Sequence, residues 1–597
     1  MKDPQKNLSS RWPELIAAGL LLIAVLRIIS TYRALSQAYD EPATVATGME
    51  WIDKGTYLID PFHPPLARIA GAIGPYLSGI RLGPIRMLED ERGASADVFG
   101  MGDDILYAGD HYWRTLTLAR LGMLPFFILG TLVVFLWTRE IAGGMAGGFA
   151  VLLFTTIPPM LAFSGFAYTD MPVAMLVAAS VYAFTHWLKH PTLKRSIVFG
   201  IFSALAVLSN FPAFLFLPAC WLAAIAAWLW LADQSQDKSE DKGNFKWKRS
   251  LIQAVWAALV FFAVVWGGYR FSIQRLSNIY AKPAEDVKAL HVSSAVKHVL
   301  NLAVAIDAPV PAPPLLRGFS SALISNAHGR PSYLFGQIRH GGWRYFFLIV
   351  VGVKSPLPFL ILVLVGIVSS LLIAMRERQW TLLVPGLCGI AVLLASTTAK
   401  VNYGRNILTV YPFLAVVAGL GAAQLWNATE QRRIFSRAML ALLLGWLVIS
   451  TTRIHPDYLT YSNELAGRHP ERVLLWGCDY DCGQDAGRLV KLLQERNVPN
   501  VSLSVFTTAE LAKLGSPPFR NLAPYERATG WVAASERMLL TGDAFWGHEH
   551  VDAYRLLLEC EPVARAGKTI YLFYLPCHPA QDQERRNAVL PRVIPEN

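Results

Sequence analysis

Charged residues are scarce in this sequence of 597 residues. Asp, Glu, Lys and Arg together make up 16% of it, whereas soluble proteins average about a quarter. Hydrophobic residues make up 53%, and the mean hydropathy is +0.36. The length alone would suggest several soluble domains, but the long apolar runs exclude that architecture and indicate a membrane protein.

The sequence also lacks a basic stripe with interleaved aromatic residues, although its net charge is +11. Lys and Arg lie mostly in short loops between apolar runs. We interpret them as an orientation signal and as contacts with membrane lipids, and we expect no nucleic-acid partner. A cleavable signal peptide is not expected either. The first apolar run, 14–31, is long, contains Arg27 and has no clear small-residue cleavage site.

Cysteine is rare, with six residues in the chain. Two of them, Cys220 and Cys388, lie in apolar runs and are interpreted as packing residues. The other four lie in the C-terminal tail, where an oxidising compartment would permit disulfides: Cys478, Cys482, Cys560 and Cys577. The close pair Cys478 and Cys482 could form a disulfide, bind a metal or do neither. No matching His and no second Cys pair lies nearby. This favours the third alternative, in which the two cysteines form neither a disulfide nor a metal site.

Apolar runs that could cross a bilayer, which takes about 20 residues, occur eleven times. They are 14–33, 116–137, 141–160, 171–188, 195–211, 212–231, 251–269, 344–374, 381–397, 407–426 and 438–452. Pro212 is expected to divide the region 195–231 into two spans, since proline breaks helices. The run 344–374 is long for one helix and carries Lys354 and Pro356 near its start.

The distribution of Lys and Arg predicts a cytoplasmic N-terminus, because every short segment on that side is then basic. Eleven spans would leave the tail outside. We therefore predict a polytopic α-helical protein of the inner (plasma) membrane with two domains. Residues 1–452 form the transmembrane domain, with large outer loops at 34–115 and 270–343. Residues 453–597 form an extracytoplasmic domain.

The tail alternates two kinds of pattern. Apolar strand patterns occur at 501–506 and 569–574, and helical patterns at 486–496 and 551–558. This alternation predicts a small α/β domain at the C-terminus.

Acidic side chains open two helices at the predicted outer face. Asp40-Glu41-Pro42 follows the first span, and Asp170-Met171-Pro172 opens the fourth. An Asp at such a place can be a helix N-cap with Pro in the first turn, which needs no catalytic role. Both lie at the same membrane face, however, and an ionisable group at membrane depth is a functional candidate. A divalent metal would find ligands beside Asp40 and Glu41, although no ligand spacing requires one.

Cationic candidates gather at the same face. They are His63 in the first outer loop, Arg120 near the second span, Lys354 near the eighth and Arg405 after the ninth. Arg pairs with phosphate through a planar fork, and Lys acts as a point charge. Each could instead be a snorkelling side chain or an interfacial anchor. Short outer loops are normally poor in Lys and Arg, so the cluster favours a function.

These groups suit one reaction. A carboxylate base would take a proton from an acceptor hydroxyl, which attacks a sugar carbon. A phosphate would leave, and fixed cations would stabilise its charge. A lipid-linked phosphosugar would present that phosphate at headgroup level, where the predicted cations lie.

The motifs and their order resemble a known family over nearly the whole chain. In the membrane domain they are Asp40-Glu41-Pro42, His63-Pro64-Pro65-Leu66, Ala119-Arg120-Leu121, Thr169-Asp170-Met171-Pro172, Lys354-Ser355-Pro356-Leu357-Pro358 and Gly404-Arg405. In the tail they include Asn463-Glu464-Leu465-Ala466-Gly467 and Asp481-Cys482-Gly483-Gln484-Asp485. The chain is similar to the type C (GT-C) glycosyltransferase superfamily, in its polyprenyl-phosphate-sugar-dependent branch. That branch includes the protein O-mannosyltransferases and the aminoarabinose transferase of lipid A.

The resemblance implies an inverting glycosyltransferase that moves a monosaccharide from a polyprenyl-phosphate carrier to a hydroxyl acceptor at the outer face. Its partners would be a polyprenyl-phosphate-linked sugar and an acceptor protein, lipid or polysaccharide. The implied catalytic residues are Asp40 as the base, Glu41 beside it, and Asp170 as the second acidic residue. The implied contacts of the donor phosphate are Arg120, His63, Lys354 and Arg405.

The chain departs from the family pattern at three positions. His63 stands where the lipid A branch has Lys before Pro-Pro-Leu, and Phe62 stands where that branch has Glu. A metal site or an acceptor preference is therefore not carried over from that branch. Cys482 replaces an aromatic residue that is common before Gly483 in the subgroup with a C-terminal outer domain.

Two other functions stay open. A transporter or flippase for a lipid-linked or anionic solute would also span the membrane, but it needs no large outer segments. The sequence also lacks the internal repeat and the paired broken helices that mark transporters. An inactive relative could bind or assemble through its tail, although the presence of Asp40, Asp170 and Arg120 argues against it. For the enzyme, Asp40 and Asp170 are expected to share one cavity.

Overall fold

The computed structural model of the chain describes residues 11–60, 62–90, 93–231, 240–275, 294–307, 309–544, 550–577 and 592–594. Within these residues, seven helices are long and apolar enough to cross a membrane, or eight if one bent pair forms a single span. The predicted fold class, a polytopic α-helical membrane protein, is confirmed. The count of eleven spans stays a prediction.

Helices fill the first half of the chain. The first six are α1 (Trp12–Thr31), α2 (Glu41–Met49), α3 (Pro65–Leu77), α4 (Val98–Leu106), α5 (Tyr112–Leu121) and α6 (Leu124–Ala142). The next six are α7 (Gly144–Phe154), α8 (Pro158–Ser164), α9 (Asp170–Lys189), α10 (Leu193–Val207), α11 (Ala213–Leu231) and α12 (Glu240–Gly268). Each apolar run predicted as a span in this half therefore contains helix.

The second half continues with helices and adds strands. Its helices before the tail are α13 (Ser294–Ala305), α14 (Pro313–His328), α15 (Phe346–Lys354), α16 (Leu357–Glu377), α17 (Val384–Ser396), α18 (Val410–Trp426) and α19 (Arg433–Arg453). Short strands lie in the outer segments: β1 (Met87–Asp90), β2 (Gly93–Ala96), β3 (Ile273–Arg275), β4 (Pro309–Pro311), β5 (Pro331–Leu334) and β6 (Gln337–His340). Residues 276–293 of the predicted outer segment 270–343 lie outside the described residues.

Prolines divide three of the apolar regions, because proline lacks an N–H and its ring blocks the helix. The run 141–160 becomes α7 and α8, which meet at an angle of 68° ahead of Pro158. The run 344–374 becomes two helices: α15 ends at Lys354, and α16 begins at Leu357, directly after Pro356. α10 and α11 are separated at Pro212, the predicted break. Backbone groups freed at such breaks need partners from neighbouring segments.

The centre of the helical region is α18, in which residues 410–423 are all buried. Glycine lets its neighbour α16 approach closely: a Cβ on Gly366 would lie 1.9 Å from the carbonyl oxygen of Val417. Small residues at helix contacts are typical of association in lipid. This packing fixes the start of α18, which follows the turn that carries Arg405.

The segment 34–115, which is predicted to lie outside the membrane, folds against the helical region. It contains α2, α3 and α4, the antiparallel hairpin β1–β2 and the start of α5. α2 and α3 are in close contact, since a Cβ on Gly48 would lie 2.0 Å from the carbonyl oxygen of Arg68. α2 begins directly after Asp40, so this packing determines where that carboxylate lies.

The tail contains one mixed sheet of five strands in the order β10-β11-β9-β7-β8. Its elements are α20 (Ala486–Glu495), β7 (Val501–Ser504), β8 (Phe519–Asn521), β9 (Gly530–Ser535), α21 (Glu536–Thr541), α22 (Arg555–Leu558), β10 (Ala564–Ala566) and β11 (Ile570–Leu575). β7 pairs in parallel with β8 and β9, whereas β11 pairs antiparallel with β9 and β10. The predicted helix 551–558 is shorter than expected. Whether the tail folds as a separate domain stays a prediction.

One further strand returns the chain end to the outer segment. β12 (Arg592–Ile594) pairs in parallel with β6, with Val593 opposite Ile338. β6 also pairs antiparallel with β5, so a three-stranded sheet joins the C-terminal end to residues 331–340. The C-terminal strand and the segment 331–340 therefore share one sheet.

Candidate active site

A cavity of about 1390 Å³ lies where α9 and α18 begin. Four of the residues predicted for the site line it: Asp40, His63, Asp170 and Arg405. The two carboxylates come from segments far apart in the sequence, yet the structure brings them to one cavity. The arrangement on which the sequence analysis depended is therefore present.

Arg405 lies between the two carboxylates. Its Nη1 donates to Oδ2 of Asp40 at 2.7 Å, and its Nε lies 3.7 Å from Oδ2 of Asp170. The guanidinium also lies 5.0 Å from the ring centre of Tyr168 and 5.5 Å from that of Tyr403. Burial opposes its charge, but Asp40 and Asp170 outweigh burial and raise the pKa of Arg405 above its ordinary value. Arg405 therefore stays charged.

Asp40 faces the cavity instead of capping its helix. It is the residue before α2, but its side chain makes no capping hydrogen bond. The backbone N–H of Ala38 donates to Oε2 of Glu41 at 2.7 Å. The backbone N–H of Asp40 donates to Oη of Tyr168 at 2.9 Å. The Asp40 side chain is 35% exposed, so its carboxylate is accessible from the cavity.

Asp170 is the more enclosed of the two. It is the first residue of α9 and is 9% exposed at its side chain. The preceding Thr169 makes no side-chain cap, and its Oγ1 accepts a hydrogen bond from Nδ2 of Asn210 at 3.0 Å. Asp170 therefore reaches the cavity beside Asp40 but offers less surface to a substrate.

The position of Arg405 depends on the tail. The backbone N–H of Gly404 donates to Oδ1 of Asp479 at 2.7 Å, and Asp479 is buried. Burial raises the pKa of the Asp479 carboxyl, against the charge of Lys354. A carboxylate of the tail thus holds the turn that carries Arg405.

His63 reaches the cavity but does not carry the charge that the sequence analysis assigned to it. Burial, followed by the charge of Arg68, lowers its pKa to about 4. Its Nδ1 lies 3.1 Å from Oδ1 of Asn210, and Nδ2 of Asn210 donates to Oγ1 of Thr169. Nδ1 therefore carries the hydrogen, and Nε2 is an unprotonated acceptor. At neutral pH His63 is a polar wall of the cavity and not a cation.

Arg68 supplies a buried cation at the same wall. Its Nη2 pairs with Oδ2 of Asp60, and its Nη1 donates to the carbonyl oxygen of Asp60 and to Oη of Tyr57. Its Nε is buried without a hydrogen-bond partner among the described residues. Arg68 is 3% exposed and lines the cavity, so its fixed charge acts on what the cavity holds.

Two arginines of the segment 270–343 also line the cavity, and neither is among the residues predicted for the site. Arg317 lies on α14 and Arg330 lies directly before β5. Both are exposed, and neither has an ion-pair partner in the described part of the chain. No motif of the resemblance includes Arg317 or Arg330, so the only available signal was two cations on a predicted outer segment.

Arg120 and Glu41 lie away from the cavity, in a fully buried pair. Nε and Nη2 of Arg120 donate to the two carboxylate oxygens of Glu41 at 2.9 and 2.7 Å. The remaining donors of Arg120 go to the carbonyl oxygens of Tyr32, Leu35 and Ser36. Both side chains are 0% exposed. The structure does not bring this predicted phosphate contact, or Glu41, to the cavity.

Lys354 is also outside the cavity. It is buried at the end of α15, and its Nζ donates to the carbonyl oxygen of Leu459 at 3.1 Å. It shares a small void with Asp479 and Gly404, and Arg405 does not line that void. Of the four predicted phosphate contacts, the structure therefore places Arg405 and His63 in the cavity but not Lys354 or Arg120.

The tail cysteines form two disulfides, Cys478–Cys482 and Cys560–Cys577. The expectation that Cys478 and Cys482 make neither a disulfide nor a metal site is wrong. Cys478 has a positive φ of 64°, and this turn brings its Cα to 4.5 Å from that of Cys482. Short sequence spacing alone does not reveal such a turn. Cys220 and Cys388 are free and buried, as expected of packing residues.

Carboxylates suited to a metal do not gather here. Among the described residues, no three His, Cys, Asp or Glu side chains lie close enough together to hold a metal ion. Asp40 faces the cavity, whereas Glu41 binds Arg120 and the backbone N–H groups of Ala38 and Ala167. The two neighbours therefore do not offer their carboxylates to one ion.

The helical architecture and the acid–cation cavity define a multi-pass membrane protein with a polar site at one end of its helices. Residues 114–236 match the family described as dolichyl-phosphate-mannose-protein mannosyltransferase. This segment contains Arg120 and Asp170, and the predicted resemblance to the family is confirmed. A comparison with curated protein sequences gives no significant match.

Similar solved structures include three proteins from different organisms. ArnT from Cupriavidus metallidurans, bound to undecaprenyl phosphate, is 13% identical over 93% of this chain and 97% of that chain, with a TM-score of 0.45. The Archaeoglobus fulgidus oligosaccharyltransferase in the apo form is 14% identical over 90% and 71%, with a TM-score of 0.42. The S. cerevisiae protein O-mannosyltransferase Pmt1–Pmt2 complex, bound to the sugar donor, is 17% identical over 43% and 33%, with a TM-score of 0.32.

Proposed function

We propose that this protein is an inverting glycosyltransferase. It moves a monosaccharide from a polyprenyl-phosphate carrier to a hydroxyl acceptor on the outer face of the inner membrane. One observation carries the proposal: Asp40 and Asp170 share a cavity and one guanidinium, that of Arg405. The family described for residues 114–236 uses a donor of this kind, which supports the reaction class.

Asp40 is the base in this proposal. It is the more exposed carboxylate, and the Arg405 contact fixes its orientation. It takes the proton of the acceptor hydroxyl while the hydroxyl oxygen attacks the sugar carbon that bears the phosphate. The bond from that carbon to the phosphate oxygen breaks on the opposite side, so the configuration inverts. Asp170 orients the acceptor or tunes the base through Arg405.

Fixed cations receive the phosphate that leaves. Arg405 and Arg68 are held rigidly at the cavity, while Arg317 and Arg330 are exposed there. Guanidinium groups suit phosphate because their donors match its oxygens in pairs. We assign Arg120 and Lys354 to supporting the site from within the protein, because their donors are used by Glu41 and by backbone carbonyls.

The cavity also offers an apolar wall for a prenyl chain. Five large side chains line it and are each about half exposed: Leu58, Phe62, Ile85, Met87 and Leu88. Exposed apolar side chains in a group mark a surface that meets lipid or an apolar ligand. A carrier with a phosphate at one end and hydrocarbon at the other would contact both the cationic and the apolar side chains of the cavity.

The proposal is tested in cells that lack this gene. Mass spectrometry of cell-envelope glycans and glycoproteins would compare the deletion strain with strains that express the wild-type chain or Asp40→Asn. We expect one glycan to disappear on deletion, to return with the wild type and to stay absent with Asp40→Asn, although that variant is inserted at the wild-type level. Full restoration by Asp40→Asn would remove the assignment of the base, and an unchanged glycan profile would remove the function.

A further inference from the structure

A short loop of the tail touches the backbone directly before each charged residue of the ion pair. The loop is residues 478–482, closed by the Cys478–Cys482 disulfide, and we call it the disulfide loop. The N–H of Tyr39, the residue before Asp40, donates to the carbonyl oxygen of Cys482 at 3.0 Å. The N–H of Gly404, the residue before Arg405, donates to Oδ1 of Asp479 at 2.7 Å. One small ring therefore holds both partners.

The sulfur atoms themselves contact the site through Tyr168. Its Oη lies 3.2 Å from Sγ of Cys482 and 3.5 Å from Sγ of Cys478. The same Oη accepts the backbone N–H of Asp40, so its own hydrogen is directed to the sulfurs. Nη1 of Arg405 lies 3.8 Å from Sγ of Cys478. The disulfide is thus in contact with groups that touch both Asp40 and Arg405.

The disulfide and Tyr168 are enclosed within the protein. Cys482 is 0% exposed, Cys478 4% and Tyr168 2%. Bonded sulfurs lie about 2 Å apart, whereas non-bonded heavy atoms need roughly 3.5–4 Å. Because close-packed interiors transmit such displacements, parting the sulfurs pushes on Tyr168 and on the Arg405 guanidinium. Each new S–H is also a donor that competes at Tyr168 Oη.

The geometry points to the Cys478–Cys482 disulfide as the positioning element of the catalytic ion pair, so that breaking it lowers turnover without removing donor binding. This inference rests on the proposed function, because it needs Asp40 as the base. A dithiol breaks the bond by supplying two electrons and two protons: the S–S bond becomes two thiols, and the dithiol becomes a disulfide. The cysteines touch no reacting atom, and they act through Tyr168, Tyr39 and Gly404.

The second disulfide is a matched control. Cys560 and Cys577 belong to the apolar core of the tail that includes Leu557 and Phe573. Neither cysteine lines the cavity. Replacing them removes a disulfide of the same domain without changing a contact to Asp40, Arg405 or Tyr168.

The experiment measures sugar transfer by the purified full-length protein in detergent. The donor is the polyprenyl-phosphate sugar extracted from the deletion strain, and bound undecaprenyl phosphate is measured separately. We expect kcat of Cys478→Ser/Cys482→Ser to fall about tenfold or more, since small misplacements of a base are costly. The KM for the donor should stay within about twofold, as for a change confined to the transition state. Cys560→Ser/Cys577→Ser should keep the wild-type kcat.

Reduction of the folded wild type tests the same bond without mutation. Dithiothreitol should lower kcat as the double serine variant does, and oxidised glutathione should restore it, while alkylation and mass spectrometry identify the disulfide that opened. Cys560→Ser/Cys577→Ser should respond like the wild type, and Cys478→Ser/Cys482→Ser should not respond.

Three outcomes would overturn the inference. The first is a wild-type kcat after the 478–482 bond is shown to be open. The second is a fall in kcat that is matched by loss of undecaprenyl phosphate binding, which indicates general unfolding. The third is a wild-type protein that transfers no sugar, which removes the proposed function as well. In the first two outcomes, wild-type transfer leaves the proposed function standing.

Discussion

Arg405 joins two carboxylates through different nitrogens, with Nη1 at 2.7 Å from Asp40 and Nε at 3.7 Å from Asp170. Because a guanidinium is planar and rigid, these two contacts link the positions of the carboxylates to each other. The tail in turn holds Arg405 through Gly404 and Asp479. The reactive part of the cavity is therefore set by three segments that only the fold brings together.

Replacing Arg405 with Lys tests this linkage. Lysine keeps the charge but is a flexible point charge, so it cannot hold Asp40 and Asp170 together as the fork does. We expect Arg405→Lys to lower kcat about tenfold to hundredfold, with smaller effects on the binding of undecaprenyl phosphate. Arg344→Lys, at an exposed position outside the cavity, is the matched control and should keep the wild-type rate. An unchanged kcat in Arg405→Lys would show that the fork does not position the base.

The buried pair of Arg120 and Glu41 should matter for stability more than for binding. Glu41→Gln leaves the Arg120 charge without its partner in a fully buried place, which costs about 3–5 kcal/mol of unfolding free energy. Arg86→Gln removes an exposed partner of Asp97 and Asp104 and should cost about 1 kcal/mol or less. Chemical unfolding of the purified variants in mixed micelles measures both.

A phosphate contact at Arg120 would give the opposite result. In that case Arg120→Lys would weaken the binding of undecaprenyl phosphate while the protein kept nearly its full stability. We expect the reverse, because all the donors of Arg120 are used by Glu41 and by backbone carbonyls. A stable Arg120→Lys variant with poor binding would restore the role that the sequence analysis assigned.

The sequence predicted the two carboxylates and Arg405 because their positions depend on local features. Each lies beside the end of an apolar run, and the basic loops place those ends on one side of the membrane. Arg120 also lies at such an end, but its partners come from residues 32–41, which only tertiary packing brings there. Spacing therefore identifies which residues can reach a membrane face. It does not show whether their donors are already used within the protein.

The remaining errors have the same physical origin. The closing of the Cys478–Cys482 bond depends on a turn with positive φ, which no hydrophobic pattern reveals. The neutral state of His63 depends on its burial and on the nearby charge of Arg68. Both residues line the cavity, which the sequence does not reveal. Arg317 was missed because no motif of the resemblance includes it. These are consequences of burial and long-range contacts.

The low pKa of His63 predicts how stability depends on pH. Burial and Arg68 lower the pKa from 6.5 to about 4, so between these values the unfolded chain binds a proton that the folded chain does not. Stability from this group is present above pH 6.5 and is lost as the pH falls toward 4. We expect the melting temperature of His63→Asn to fall less between pH 7 and pH 5 than that of the wild type. His190→Asn, at an exposed position, should behave like the wild type.

The contact between tail and helices should appear as coupling between Lys354 and Asp479. Both line one small void, and the charge of Lys354 is the one that most favours the Asp479 carboxylate, ahead of Arg405 and Arg537. We expect Lys354→Met and Asp479→Asn each to cost about 1–3 kcal/mol of unfolding free energy, because each removes a buried polar partner. The double variant should cost less than the sum, with a coupling of about 0.5–3 kcal/mol. Asparagine keeps an acceptor for the Gly404 N–H, so the double variant should also retain measurable transfer. Two results together would contradict this prediction: strictly additive costs, and loss of undecaprenyl phosphate binding in Lys354→Met but not in Asp479→Asn. They would indicate that Lys354 becomes accessible in another conformation and binds phosphate there.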